Sequence, residues 1–208
     1  TKDDLNPNKK FIENSILKSN ALWTIFGQQV LMAKLKFPDI SKMLRSEEIP
    51  SFLKPYLKFL GLGIPSNLDA WDGYPAERNR LYQLMINAKK RFISLAGDTH
   101  NSWVSELEDQ SGSKVGIELG APSVTSPGIT DILNLDKKKF VNSIVKINKE
   151  LQWMDPSNRG YLYLNCAEDK IIASFNYIKE LEEINSDISS SKSFVLHRED
   201  LGLEEIKA

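Results

Sequence analysis

Phe92-Ile93-Ser94-Leu95-Ala96-Gly97-Asp98-Thr99-His100-Asn101-Ser102-Trp103-Val104 is the stretch on which the reading of this chain turns. Its first residues are short-run apolar, bounded by Lys89-Lys90-Arg91 on one side and Gly97 on the other, the mark of a buried strand. Gly97 lets the backbone leave the sheet, and the next residues carry a carboxylate, Asp98, and an imidazole, His100. Side chains at the carboxyl ends of such strands face the crevice where open α/β sheets place ligands. Carboxylate oxygen and neutral imidazole nitrogen together suit a divalent or trivalent ion. The same Asp-x-His spacing also serves a local hydrogen-bonded turn, and the residues by themselves leave both readings open.

Downstream, residues 101–108 and 114–120 read as strands joined by the polar turn Asp109-Gln110-Ser111-Gly112-Ser113, a hairpin. Residues 121–128 form a loop with two prolines, and its Ser123 and Ser126 have no histidine nearby to activate them. Asp136 is placed to cap a helix whose face carries Phe140, Val141, Ile144 and Val145. Alternation in residues 160–166 and 171–178 marks two more strands, with Cys166 expected to be packed. A polar run then leads to a terminal strand at Phe194-Val195-Leu196-His197, where His197 is expected to be exposed and structural.

Upstream, Phe11, Ile12 and Ile16 give residues 8–19 a helical stripe that feeds a strand from about Leu22, carrying Trp23, Ile25 and Val30. Gly27 marks a kink there, and Gln28 and Gln29 lie at the turn. Residues 37–66 hold Pro38, Pro50, Pro55, Pro65, Gly61 and Gly63, so they read as an insertion with one or two short helices. Asp69, Trp71, Asp72 and Tyr74 then precede a helix with Pro75 in its first turn, Glu77 at its positive end, and Leu81, Leu84, Met85 and Ala88 as its packing stripe. Asp72 can pair with Arg78 or cap this helix while Trp71 fills the core. Alternatively, Asp72 or Tyr74 lines the mouth of a pocket, since loops on a rigid scaffold often carry the site.

The chain has 208 residues, 41% of them hydrophobic and 26% charged, enough for one domain with a core. A net charge of -1 leaves no footprint for nucleic acid, and Lys137-Lys138-Lys139 reads as a solvated helix start. No apolar run is long enough to span a membrane. A single cysteine excludes an internal disulfide.

Four blocks occur in an order that resembles a known family: Trp23-Thr24-Ile25-Phe26-Gly27-Gln28-Gln29-Val30-Leu31-Met32-Ala33, Asn67-Leu68-Asp69-Ala70-Trp71-Asp72-Gly73-Tyr74-Pro75-Ala76-Glu77-Arg78, Gly97 to Trp103, and Val115-Gly116-Ile117-Glu118-Leu119-Gly120-Ala121-Pro122-Ser123-Val124-Thr125-Ser126-Pro127-Gly128. With a tail around Asn158-Arg159-Gly160-Tyr161, they resemble the alkaline phosphatase D family of metallophosphoesterases from about Trp23 onward. The resemblance implies a mixed α/β fold, the carboxy-terminal half of a two-sheet β-sandwich flanked by helices, with residues 1–208 one portion of a single domain. It implies hydrolysis of phosphate monoesters or diesters by metal-activated water, with iron and calcium as the metals. By motif position His100 resembles the ligand to one ion and Asp98 the ligand to the other. Gln28 resembles the position where these relatives carry an amide, either as a metal ligand or as a buried residue capping strand carbonyls. Asn101 could hydrogen-bond a phosphate oxygen, and Asp72, Tyr74 and Arg78 would lie near the substrate.

Two histidines and one cysteine cannot fill a two-metal site. The resemblance therefore implies that most ligands, including the iron's cysteine and tyrosine, belong to an amino-terminal half outside this chain, without which it would be inactive. Cys166 inherits no such role. The expected partners are a phosphate ester, that missing half, and, through exposed sheet edges, a second copy. The family suggests a periplasmic or secreted location. The competing reading is a non-catalytic binding or structural module of the same fold, in which Asp98 and His100 bond to each other or to backbone.

Overall fold

The computed structural model describes residues 7–44, 55, 67–179 and 187–206. Helix α1 (Pro7–Lys18) leads to strand β1 (Thr24–Gly27), and a 3-10 turn follows at Ile40–Lys42. Beyond a second 3-10 turn, Trp71–Gly73, come α2 (Pro75–Asn87), β2 (Phe92–Ala96), β3 (Ser102–Glu108) and β4 (Lys114–Gly120). The short helix α3 (Ile129–Ile132), α4 (Lys137–Ile147), β5 (Leu151–Asp155), β6 (Gly160–Cys166), β7 (Lys170–Ile178), β8 (Ile188–His197) and β9 (Leu203–Ile206) complete the order.

Two sheets result. The first runs β1-β2-β4-β3-β5, with β1, β2 and β4 parallel and β3 antiparallel to both its neighbours. The second is the antiparallel meander β6-β7-β8-β9. Period-two alternation decides which layer each side chain joins. On β2 and β3, Phe92, Ala96, Trp103 and Leu107 point toward the helices, where they meet Tyr82, Met85, Phe140 and Ile144. Ile93 and Val104 point the other way and pack with Ile117, Leu119, Phe175, Phe194 and Leu196 between the sheets. The first sheet is thus buried on both faces, which is why its strands read as apolar runs. The expected mixed α/β, two-sheet arrangement flanked by helices is what the chain adopts.

Local signals hold where they were strong. Asp136 accepts a hydrogen bond from the Lys139 N–H at 2.9 Å, and Phe140 and Ile144 are the buried residues of α4. The hairpin joining β3 and β4 forms at the expected turn.

Other expectations need correction. The first strand spans only Thr24–Gly27, so Trp23 and Val30 flank it rather than belong to it. Tyr82 and Arg78 join Met85 as the buried residues of α2, whereas Leu81, Leu84 and Ala88 are partly covered. Cys166 is exposed, because at the end of β6 it lies beyond the covered part of the sheet. Strands β5 and β9 were not anticipated: Leu203-Glu204-Glu205-Ile206 has weak β-propensity and is ordered by pairing with β8. Most of the insertion expected at 37–66 lies outside the described residues, leaving the turn at Ile40–Lys42 as its described helical segment.

Candidate functional site

The carboxyl ends of the parallel strands β1, β2 and β4 converge. Gln28 N–H donates to the Leu95 carbonyl at 3.0 Å, Gly97 N–H to Gln29 at 2.9 Å, and Ala121 N–H to Ala96 at 2.7 Å. Immediately beyond, the backbone enters the left-handed region twice, at Asp98 (φ 63°) and His100 (φ 60°). Side chains other than glycine hold that conformation at a cost of about 1–2 kcal/mol each, and such strain concentrates at functional sites.

Neighbouring contacts hold the turn in place. Trp103 Nε1 donates to Thr99 Oγ1 at 2.7 Å, and Asn101 Nδ2 donates to the Thr99 carbonyl at 2.6 Å. Asn101 Oδ1 in turn accepts from the Ile129 N–H at 3.2 Å, tying the turn to α3. A methyl group on Gly128 would come within 2.1 Å of the Pro156 carbonyl oxygen and 2.7 Å of Asn101 Oδ1, so only glycine fits beside this brace.

His100 Nδ1 lies 3.2 Å from the carbonyl oxygen of Pro127. A carbonyl can only accept, so Nδ1 carries a proton, and in the neutral ring Nε2 then holds the lone pair. This tautomer is the one in which a backbone-anchored histidine serves as a ligand or base. Asp98 is exposed and makes no hydrogen bond or ion pair among the described residues. Asp98 and His100 do not bond to each other. Both line a cavity of about 440 Å³, together with Asn101 and Asp72.

The cavity's far wall is a non-regular strap, and every backbone N–H from Met32 to Lys36 along it is accepted by a side chain from elsewhere. Glu118 takes Met32 at 2.7 Å and Ala33 at 2.8 Å. Glu150 takes Lys34 at 2.9 Å, Asp72 takes Leu35 at 3.0 Å, and Asn148 takes Lys36 at 2.7 Å. Arg78 Nη1 adds a bond to the Met32 carbonyl at 3.0 Å and an ion pair with Asp72 at 2.6 Å. Burial pushes the Glu118 carboxyl up to about 7, against the N–H groups of Ala33 and Met32, which favour its charged form.

The sequence-derived residues therefore separate. Asp98, His100, Asn101 and Asp72 share one cavity. Asp72 is also the partner of Arg78, as the structural reading of that loop expected. Arg78 is buried behind the strap, and Tyr74 is exposed at the entrance to α2; neither lines the cavity. Gln28 faces inward: Nε2 donates to Ser94 Oγ at 3.0 Å, while Oε1 accepts from Trp71 Nε1 at 2.8 Å. It caps side chains rather than strand carbonyls, and it does not line the cavity of Asp98 and His100. The roles of Glu118, Glu150 and Asn148 escaped sequence reading, although a glutamate within the apolar run of β4 was the available signal.

As a metal site the donor set is partial. Asp98 and His100 supply one oxygen and one nitrogen donor, and no group of three or more His, Cys, Asp or Glu suited to a metal ion occurs among the described residues. No helix among them is long and apolar enough to cross a membrane.

Comparison with known proteins gives a consistent picture. Alkaline phosphatase D of Bacillus subtilis (strain 168) is 26% identical over 205 residues, an alignment covering 96% of this chain and 31% of that protein. A solved structure of PhoD shares the fold with a TM-score of 0.73 at 23% identity, over 98% of this chain and 35% of that one. The chain thus spans about a third of the length of the curated relative it matches. The family model described as PhoD-like phosphatase matches residues 7–175, and on that match the chain belongs to the PhoD-like phosphatase family.

Proposed function

We propose that this chain is part of a phosphoric-ester hydrolase and that Asp98 and His100 are its contribution to the metal-binding centre. The observation that supports this most directly is the His100 geometry: Nδ1 is committed to the Pro127 carbonyl, which leaves Nε2 as the basic nitrogen beside the unpartnered Asp98 carboxylate. The left-handed backbone at both residues turns them at the cavity they line, which is compatible with that role.

Iron with calcium fits an oxygen–nitrogen donor pair, and such ions would neutralise the ester's charge and activate the attacking water. The remaining donors would come from polypeptide preceding this chain in the full protein, so the chain alone is proposed to be inactive. His100 holds its ring through Pro127, and Asp98 presents a carboxylate to the same cavity. Asn101, with one amide hydrogen beyond its bond to Thr99, is a candidate contact for a phosphate oxygen. A phosphate monoester or diester is the proposed substrate, a periplasmic or secreted location the proposed setting, and contact between copies through sheet edges a proposed assembly mode.

The test is hydrolysis of a chromogenic phosphodiester and a phosphomonoester, with iron and calcium supplied, by this chain and by a version extended at its amino terminus. Activity is expected only in the extended protein and is lost in its His100→Ala variant. Activity in neither would sink the hydrolase reading. It would favour instead a non-catalytic binding module, the reading in which the His100 bond to the Pro127 carbonyl is structural.

A further inference from the structure

We infer that the pocket at the amino ends of β1, β2 and β4 is an anion site apart from Asp98 and His100, one that takes a diphosphate group, free or carried by a small organic molecule. It does not depend on the hydrolase reading. The five residues of β2, at roughly 3.3 Å each, set it about 16 Å from the cavity at the other end of the strands. What carries the inference is a convergence of cations that the fold leaves without counter-charge.

Five cations line this pocket: Lys89, Lys90 and Arg91 between α2 and β2, Lys114 at the start of β4, and Arg198 just beyond β8. Among the described residues, Lys114 alone of the five has a carboxylate partner, Glu106. Lys90 Nζ donates to the carbonyls of Ile16 at 2.7 Å and Ser19 at 2.5 Å, and Arg91 Nη1 donates to that of Glu199 at 2.6 Å. Those acceptors are neutral, so they fix the two cations without cancelling their charge. The side chains of Lys89 and Arg198 form no hydrogen bond or ion pair among the described residues.

Two carboxylates belong to the same lining. Asp109 is turned into its own loop, where it accepts from the N–H groups of Ser111 at 2.8 Å and Ser113 at 2.9 Å. Glu199 forms no ion pair among the described residues. The local excess is therefore positive, in a chain whose net charge is -1. Cations held together repel one another, and a cleft lined by one sign of charge concentrates ions of the other. The carbonyl tethers join the end of α1, the start of β2 and the turn after β8, so the basic arc is assembled before a ligand arrives. Lysine meets phosphate as a point charge and arginine as a two-pronged donor. At about 810 Å³ the pocket holds more than one phosphate, and Leu22 and Trp23 add an apolar wall. A second phosphate lets one ligand meet several of these cations at once.

The test titrates this chain, with a chelator present, using pyrophosphate, a nucleoside diphosphate and orthophosphate, and follows backbone amide shifts by NMR. Saturable shifts are expected at residues 19–23, 89–91 and 198–201 and not at 97–101, with pyrophosphate binding about tenfold tighter than orthophosphate. Tighter binding of the nucleoside diphosphate than of pyrophosphate would assign the site to an organic diphosphate, and the reverse order to the inorganic ion. Lys89→Ala and Arg198→Ala remove side chains that have no internal partner, so each should keep the fold and weaken pyrophosphate binding roughly tenfold. Lys138→Ala, at an exposed lysine of α4, should leave binding unchanged. Equal affinity for orthophosphate, equal weakening by Lys138→Ala, indifference to both pocket variants, or loss of binding in the amino-terminally extended protein would overturn the inference.

Discussion

Arg78 and Asp72 meet 2.6 Å apart with both side chains largely buried, and between them they hold opposite edges of one strap: Arg78 takes the Met32 carbonyl and Asp72 the Leu35 N–H. Removing one partner leaves the other charged and without its mate in a dry site, a loss of about 3 kcal/mol or more. Arg78→Met should therefore lower stability by about that amount in chemical denaturation, with Asp72→Asn less damaging because its amide oxygen can still accept. A change below about 1 kcal/mol for Arg78→Met would mean that the pair is not structural.

Glu118 should give the fold a pH dependence near neutrality. Its carboxyl is raised from 4.5 to about 7, chiefly by burial. Below 4.5 the group is protonated in folded and unfolded chains alike, and its contribution is fully present. As pH rises toward 7 the unfolded chain ionises first, so stability falls, by up to about 3 kcal/mol, and levels off above the folded value. Comparing thermal unfolding of the parent chain and Glu118→Gln across this window should show the slope disappearing in the variant. Parallel curves would refute the assignment.

Asp98 and His100 hold left-handed backbone that glycine adopts without penalty. His100→Gly and Asp98→Gly should leave stability unchanged or raise it by up to about 1 kcal/mol, while abolishing hydrolysis in the amino-terminally extended protein. A functional loss accompanied by unfolding would show instead that these residues are structural. Circular dichroism and denaturation beside the assay distinguish the two.

Asn101 is buried and ties the turn to α3 through Thr99 and Ile129. Asn101→Ala should cost about 1–3 kcal/mol by leaving the Ile129 N–H and the Thr99 carbonyl without their partner. Gly128→Ala should act through the same brace, since its new methyl would collide with the Pro156 carbonyl and Asn101 Oδ1. Amide exchange at Ile129 reads both: protection retained in either variant would argue against the brace.

What could be read along the chain is what neighbours in sequence decide. Apolar runs bounded by charge and glycine located β2, the turn at residues 109–113 located the hairpin of β3 and β4, and Asp136 located the start of α4. The Asp98–His100 turn and its place at a strand's carboxyl end were legible for the same reason. The division of labour among the polar residues was not. Glu118 meets Ala33 across a separation of 85 residues, and Asn148 meets Lys36 across 112. Asp72 and Arg78 look like site residues in sequence, yet much of their hydrogen bonding is spent on a strap. Periodicity reports which face of an element avoids water, whereas a buried carboxylate is decided by the donors that folding brings to it. Sequence alone therefore determined most of the elements and the place of the Asp98–His100 turn, and only the tertiary structure decided which carboxylates hold the backbone and that Asp98 is left open to the cavity, because buried N–H groups must find acceptors when the chain folds.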